Sequence, residues 1–434
     1  MDLINHLTLG LVAACQPVHL LVAVLGGLFG TLIGVLPGIG PVAGMAMLLP
    51  AAYALAPLPA LILLAGIYCG AQCGSTMVAI LVHPVAAPGR AGAVLAATAL
   101  GSVLAASLGT LALAVLAPLL SQLVLPFTAA ETFALMVLGL MGAVVLASGS
   151  PLKAIAMVVL GLLLGLVGTD GPSGVVRFAF DLPELDHGIA LVSIAMGVFG
   201  YGEMISNLAQ PEPVRAVWGA KLRDIWLTRH DLRGLAPAAL RGAAARTSLL
   251  SLLSLGIPSN AVMALMVAVM ATRHILPGPQ ALTENPELFW GLIASLWVLS
   301  LTLLVLNLTL IGLWSRLLST PYRWLFTAVV LIGALGAYST HHSITDIGLL
   351  AVFGVVGYVF HTLELAPVPL LLGFVLGHRM EDLLREALLL SHGDWRVFVM
   401  RPVSAGLLLG ALTLLVVVVL PAVKRLRQQA FVKA

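Results

Sequence analysis

The chain has 434 residues, of which 60% are Ala, Val, Ile, Leu, Met, Phe, Trp, Tyr or Cys and only 9% are Asp, Glu, Lys or Arg, with a formal net charge of +3. Roughly a quarter of the residues of a soluble globular protein are charged, so a chain this poor in charge cannot clothe a water-facing surface. Soluble enzymes, nucleic-acid binders and secreted disulfide scaffolds are excluded, and the small net charge identifies no partner.

About 20 consecutive apolar residues suffice to cross the hydrocarbon of a bilayer. The first apolar block, Leu7 to Val35, has no Lys or Arg before it and is too long for the apolar part of a cleaved signal, so it reads as a membrane helix. Further apolar segments are expected at 41–68, 74–87, 91–120, 131–149, 152–168 and 188–206, and then at 247–273, 289–316, 324–338, 346–362, 366–378 and 404–423. Some are short or broken. Backbone interruptions at membrane depth are tolerated only where protein or a watery cavity surrounds them. The expected architecture is an all-α polytopic membrane protein of about 10 to 12 transmembrane helices, with interrupted or re-entrant hairpins, in two repeated halves.

Residues 1–206 are expected to form the first repeat, 207–246 a connecting loop and 247–434 the second repeat. The connection between Glu203 and Arg246 holds seven of the 21 basic residues: Arg215, Lys221, Arg223, Arg229, Arg233, Arg241 and Arg246. The tail adds Lys424, Arg425, Arg427 and Lys433. The positive-inside rule places both in the cytoplasm. Between them, residues 378–402 set Met380, Leu383, Leu384, Leu388 and Leu389 at helical spacing against Glu381, Arg385 and Glu386, an amphipathic helix for the membrane surface, for a partner or for a plain connector.

The strongest local feature is the cluster Pro37, Gly38, Gly40 and Pro41 inside otherwise continuous apolar sequence. Proline removes a backbone donor and clashes with the preceding turn, so the helix must break. A break at membrane depth leaves a half-helix N-terminus whose free N–H groups and partial positive charge suit a carboxylate. Gly74, Ser75 and Thr76 precede a short run ending at His83, Pro84, Pro88 and Gly89, which predicts a hairpin entering and leaving one side. In the second half, Gly256, Pro258, Ser259 and Asn260 interrupt a comparable run. Paired interruptions in two halves point to the binding site of a secondary transporter.

Other residues carry less. Cys15, Cys69 and Cys73 lie in apolar stretches, and Cys69 and Cys73 have no further ligand near them in sequence, so neither a metal nor another cofactor is expected. Glu131, Lys153 and Glu364 fall near helix ends, where snorkelling is the ordinary explanation. His341, His342 and Asp346 read as a loop. Gly26, Gly30 and Gly34, and Gly161 and Gly165, have the spacing that lets membrane helices pack closely.

The strings IGVLPGIGPVAGMAMLLP, FALMVLGLMGAVVLASGSPLKAIAMVVLGLLLGLVGTD, RFAFDLPELDHGIALVSIAMGVFGYGEM, SLGIPSNAV with ILPGP, FGVVGYVF with PVPLLLGFVLG, and HRMEDLLREALLLSHGDWRVFVMRP occur in that order. Together they resemble the TctA family, the large membrane subunit of tripartite tricarboxylate transporters, over nearly the whole chain. The resemblance implies secondary active transport of carboxylate-containing solutes across the bacterial inner membrane, coupled to Na+ or H+. It also implies a small four-helix membrane subunit (TctB-like) and a periplasmic solute-binding protein (TctC-like) as partners, with no nucleic acid. On this chain the family's substrate and ion site maps to Pro37, Gly38 and Gly40, to Gly74, Ser75 and Thr76, and to Gly256, Pro258, Ser259 and Asn260.

The sequence also departs from the family. Where the first hairpin usually continues with an Asn-Thr-Pro-Gly-Glu string, this chain has His83 to Arg90, and between Gly234 and Arg246 only GLAPAALRGAAAR remains. The second PGxG break and a polar segment before the second hairpin are missing. Losing polar groups where an anion should bind is costly in a low dielectric. The alternative to transport with altered specificity is therefore a degenerate paralogue that acts as a scaffold or regulatory membrane subunit.

Overall fold

In the computed structural model, residues 3–36, 40–82, 91–124, 127–147, 150–171, 173–208, 248–273, 275, 278–318 and 322–419 are described. Almost everything described is helical. The first half consists of α1 (Leu3–Ala14), α2 (Pro17–Val35), α3 (Pro41–Ala54), α4 (Pro57–Val82), α5 (Ala91–Val124), α6 (Ala129–Leu146), α7 (Pro151–Gly165) and α8 (Leu191–Leu208). The second consists of α9 (248–255), α10 (Ala261–Thr272), α11 (Pro279–Glu284), α12 (Pro286–Thr309), α13 (Ile311–Leu318), α14 (Tyr322–His341), α15 (Ile344–Thr362), α16 (Val368–Leu390), α17 (Val397–Met400) and α18 (Pro402–Val419). Prolines at the first turns of α2, α3, α7, α11, α12 and α16 mark their starts, where a missing N–H costs nothing. Among the described residues, seven helices are long and apolar enough to cross a membrane. The chain is a multi-pass membrane protein.

Without water to drive apolar faces together, membrane helices associate by close packing at small residues. The α2–α4 pair is built this way, with Gly26, Gly30 and Gly34 of α2 against Gly66, Gly70 and Gly74 of α4. A Cβ on Gly30 would stand 2.4 Å from the Ile67 carbonyl oxygen, and one on Gly34 would stand 2.2 Å from that of Ala71. The pair runs in one direction, since successive glycines of α2 meet successive residues of α4. Gly161 and Gly373 do the same for α7 and α16, where added methyls would approach the Leu370 and Val158 carbonyl oxygens to 2.1 and 2.5 Å.

The expected hairpin over 74–87 is not formed as such, because residues 57–82 are one continuous helix. Ser75 and Thr76 do not break it: both hydroxyls donate to the Gln72 carbonyl oxygen, at 3.0 and 2.8 Å, so the polar side chains are satisfied along the helix. The rest of that hairpin, including His83 to Arg90, lies outside the described residues. His341 closes α14 and Asp346 is buried in the first turn of α15, so the expected loop there shrinks to a short corner.

A short antiparallel β-hairpin, β1 (Gly168–Thr169) and β2 (Val176–Arg177), follows α7. The expected amphipathic segment is the end of α16, and it lies against this hairpin. Asp170 accepts from Arg385 at 2.9 Å and also pairs with Arg177, while Glu381 accepts from Arg177 at 2.8 Å and from Arg385 at 2.5 Å. The apolar side of the same helix packs Leu383, Leu384 and Leu388 near Phe133 and Phe398.

Connectivity fixes the sides. α8 starts just after the hairpin and ends where the basic connection begins. α18 starts at the same level as the α16 end, where Arg401 holds Glu131 of α6 at 3.1 Å, and it ends at the basic tail. α8 and α18 therefore both end on the side of the bundle opposite the hairpin.

The glycine contacts generate a test. Gly30→Leu should destabilise the protein in detergent by about 1 to 3 kcal/mol or more, because the neighbour is backbone that cannot yield. Gly406→Leu on α18, with open space around it, should change the melting temperature little. Equal melting of the two variants would show that the α2–α4 contact does not hold the bundle.

Candidate functional site

The helices α3 and α10 restart after backbone breaks, and their lengths matter. At about 1.5 Å per residue, 14 residues and 12 residues reach about 21 and 18 Å, short of the roughly 30 Å hydrocarbon core. The two pack together in parallel. The Arg273 guanidinium, just past α10, donates to the Leu55 carbonyl oxygen at 2.7 Å and also to that of Tyr53, at the end of α3. These C-terminal ends open on the hairpin side, and both helices start among buried residues of the bundle, Ala43 and Ala261 among them.

The two N-termini differ. At α10, Asn260 Oδ1 accepts from the Met263 backbone N–H at 2.9 Å and caps the helix itself. The preceding turn is made by Gly256 at φ 73°, a left-handed conformation that a side chain disfavours, and Pro258 follows, buried. Ser259 is exposed at the same turn. At α3, Gly40 offers no side chain and Pro41 no N–H, so the next N–H groups face the break without a side-chain cap. Pro37 and Gly38, the other expected residues of that break, lie outside the described residues.

What faces the start of α3 is an acid. A Cβ on Gly40 would stand 3.9 Å from Glu203 Oε2 on α8. Beside it, Ser206 and the Nδ1 of His361 on α15 lie 2.9 Å apart, and Glu203 is within electrostatic reach of that imidazole. α8 is locally widened to a π-helix over Met196–Tyr201 just before this carboxylate, and α9 is widened likewise over Ser251–Leu255 just before the second break. Such single π-turns frequently accompany functional sites. Sequence reasoning missed Glu203 and His361. The signal was present in two acidic or basic-capable residues at corresponding ends of neighbouring apolar blocks, but each also bordered a polar segment.

The remaining expected residues separate from this centre. Gly74 faces α2, where an added Cβ would meet the Thr31 carbonyl oxygen at 2.5 Å, so its role is close packing. Ser75 is exposed on α4. Thr76 lines a small cavity against α5 and α12. Glu131, rather than snorkelling, closes a capping box with Thr128 and is paired to Arg401. Lys153 donates to the Leu363 carbonyl oxygen at 2.7 Å, at the end of α15.

On the hairpin side, an open cavity of about 770 Å³ lies between the hairpin and the ends of α3, α10 and α16. Its charged lining includes Asp170, Arg177, Asp186, Arg379 and Glu381. Arg379 has no ion-pair partner among the described residues. Hydrogen bonds from Ser173 and Arg385 hold the Asp170 carboxyl well below the usual carboxylate range, and bonding to Glu381 raises Arg177. No cluster of metal-binding side chains occurs among the described residues.

The low pKa of Asp170 sets a pH dependence. Because the folded value is depressed, the stabilisation is complete above the unfolded value of about 4 and is lost as pH falls below it. Protease protection of the hairpin should therefore be flat from neutral pH to about 4 and fall under stronger acid. Asp170→Asn should weaken protection at neutral pH and flatten the acid response. An unchanged profile in the variant would refute the clamp.

Comparison with known proteins places this geometry. The model of the tripartite tricarboxylate transporter TctA family matches residues 20–247 and 235–372, and the chain belongs to that family. The two matched stretches overlap at 235–247. An uncharacterized 52.8 kDa protein of the TAR-I ttuC' 3' region of Agrobacterium vitis is 41% identical over 500 aligned positions, covering 100% of this chain and 99% of the relative. Those 500 positions exceed the 434 residues here, so the relative carries segments that this chain lacks. An uncharacterized protein of the TAR-II ttuC' 3' region of the same organism is 45% identical over 197 residues, 45% of this chain and 81% of that relative. No solved structure matches.

Proposed function

We propose that this TctA-family chain is the solute-moving membrane subunit of a tripartite transporter, carrying carboxylate-containing solutes across the bacterial inner membrane at the expense of a cation gradient. The observation that carries the reading is the parallel pair of half-helices. Both are too short to cross the hydrocarbon core, and the start of α3 has no side-chain cap. A half-helix N-terminus stabilises negative charge without bringing in a charged side chain. Family membership supports a small membrane subunit and a periplasmic binding protein as partners. The cavity beside the hairpin lies on the side from which such a protein would deliver solute, and Arg379 supplies a cation there.

Glu203 gives the site its sign rule. A carboxylate at the start of α3 repels an arriving carboxylate, so the bound state needs this charge neutralised or moved toward His361. The second reading, a scaffold without transport, draws on the segments that the longer relative carries and this chain lacks. A scaffold has no need of an open half-helix N-terminus.

The deciding experiment is uptake of radiolabelled di- and tricarboxylates by proteoliposomes containing the chain and its partners, under an imposed sodium or proton gradient. Accumulation of at least one solute is expected. Gly40→Leu and Asn260→Leu should each reduce it severalfold while inserting normally, the latter because an N-cap contributes about 0.5 to 2 kcal/mol. Absence of uptake for every solute tried, with all partners present, would favour the scaffold. Wild-type rates in both variants would remove the site from the half-helix starts.

A further inference from the structure

The open cavity on the hairpin side, of about 770 Å³, falls within the roughly 300 to 1,000 Å³ of sites for small organic ligands. Much of its lining is apolar, from Val267, Ala268 and Ala271 of α10 and from Phe374 and Val375 of α16. Charge comes from Asp170, Arg177, Asp186, Arg379 and Glu381, which line the same space.

Most of this charge is compensated internally. Asp170 pairs with Arg177 and, at 2.9 Å, with Arg385, while Glu381 pairs with Arg177 at 2.8 Å and with Arg385 at 2.5 Å. Two carboxylates thus meet two guanidiniums, and the cluster contributes no net charge. Arg379 and Asp186 remain. Arg379 is half-buried, and its guanidinium makes no ion pair or hydrogen bond among the described residues. The same holds for the half-buried Asp186 carboxylate, since only the backbone carbonyl of that residue is engaged, by Thr169. The cavity therefore offers an arriving anion one free cation and, in the same space, one carboxylate that opposes further negative charge.

We infer that this cavity binds an organic acid with a single carboxylate and an apolar body, Arg379 pairing with the carboxylate and Asp186 discriminating against a second one. A guanidinium presents a carboxylate with a fork of parallel N–H donors, and this one has no competing partner. The body of the solute gains by leaving water for the apolar lining around Val267 and Phe374. A di- or tricarboxylate brings at least one charge for which the lining holds no free cation, and a charge taken from water without a partner is costly. Repulsion from Asp186 adds to that cost, so the selectivity has a repulsive part as well as an attractive one. The cavity is open to water, so multiply charged acids still enter, with lower affinity. That acids of the preferred class are carried onward rests on the transport reading above.

The test is equilibrium binding of radiolabelled 3-phenylpropionate to the purified full-length protein in detergent. His187 and His378 also line the cavity, so the measurement is made at about pH 8, where imidazole is ordinarily uncharged. Two competitors each differ from the probe by one group: phenylsuccinate adds a second carboxylate and phenylalanine an ammonium. Saturable binding of the probe is expected, with phenylsuccinate weaker by about tenfold. Arg379→Gln should raise the dissociation constant of the probe about ten- to a hundredfold, the equivalent of one lost bond to a charged group, and Arg379→Lys should fall between. Asp186→Asn should bring phenylsuccinate to within about threefold of the probe and leave the probe's own binding unchanged. No saturable binding, binding unchanged in Arg379→Gln, or tighter binding of phenylsuccinate or phenylalanine than of the probe would overturn the inference. Should the probe bind as expected while no carboxylate is taken up by proteoliposomes, the transport reading fails and the site stands. Uptake of a dicarboxylate without any such binding leaves the transport reading intact and overturns the site.

Discussion

A bilayer offers the backbone no hydrogen bonds, and the architecture follows from how the chain meets that constraint at its breaks. α10 meets part of the problem internally, with Asn260 Oδ1 accepting from the Met263 N–H. α3 does not, since Gly40 and Pro41 have no side chain that can reach them. Its start needs something else nearby. α8 and α15 supply a polar neighbourhood of Glu203, Ser206 and His361, and the glycine seams of α2 and α4 hold the helix entering the break in place. An open polar end is stable only inside such a rigid protein wall, so packing and site are one problem here.

The parts of the fold legible in the sequence are those governed by local chemistry. Apolar blocks, proline starts, the Pro37–Pro41 and Gly256–Asn260 interruptions, and the glycine spacings at 26, 30 and 34 and at 161 and 165 all act within a few residues. Errors arose where local reading was ambiguous. Ser75 and Thr76 resemble the edge of a hairpin, yet each can return its proton to the preceding turn, and α4 continues. The amphipathic stretch after His378 reads as a surface helix because its polar partners, Asp170 and Arg177, lie about 200 residues away in the chain.

The candidate site was half legible for the same reason. Helix breaks announce themselves through Pro and Gly, but convergence does not. Glu203 and His361 each border a polar connection, and only the parallel course of α8 and α15, with Gly202 against Gly357, makes them neighbours. Ser102, Ser300 and Asn307 are invisible in a hydropathy pattern, since Ser and Thr within membrane helices are ordinarily satisfied by the preceding turn. Only the packing of α5 against α12 brings them to the wall of one small cavity.

The scarcity of charge then takes on a mechanistic sense. The ion pairs that the described helices hold tightly, Glu131 with Arg401 and Asp170 with Arg177 and Arg385, lie on the hairpin side, where they fix helix ends and a loop. Deeper in the bundle the polar groups are helix termini, hydroxyls, an amide and the Glu203–His361 neighbourhood. Dipoles and neutral oxygens bind an ion less tightly than a full opposite charge, and for a carrier that is an advantage. A substrate or cation held by a permanent counter-charge in a low dielectric would be slow to leave. A chain with 9% charged residues can still handle ions, provided that its binding groups are fixed in place by packing. The seams of α2 with α4 and of α7 with α16 supply that fixation.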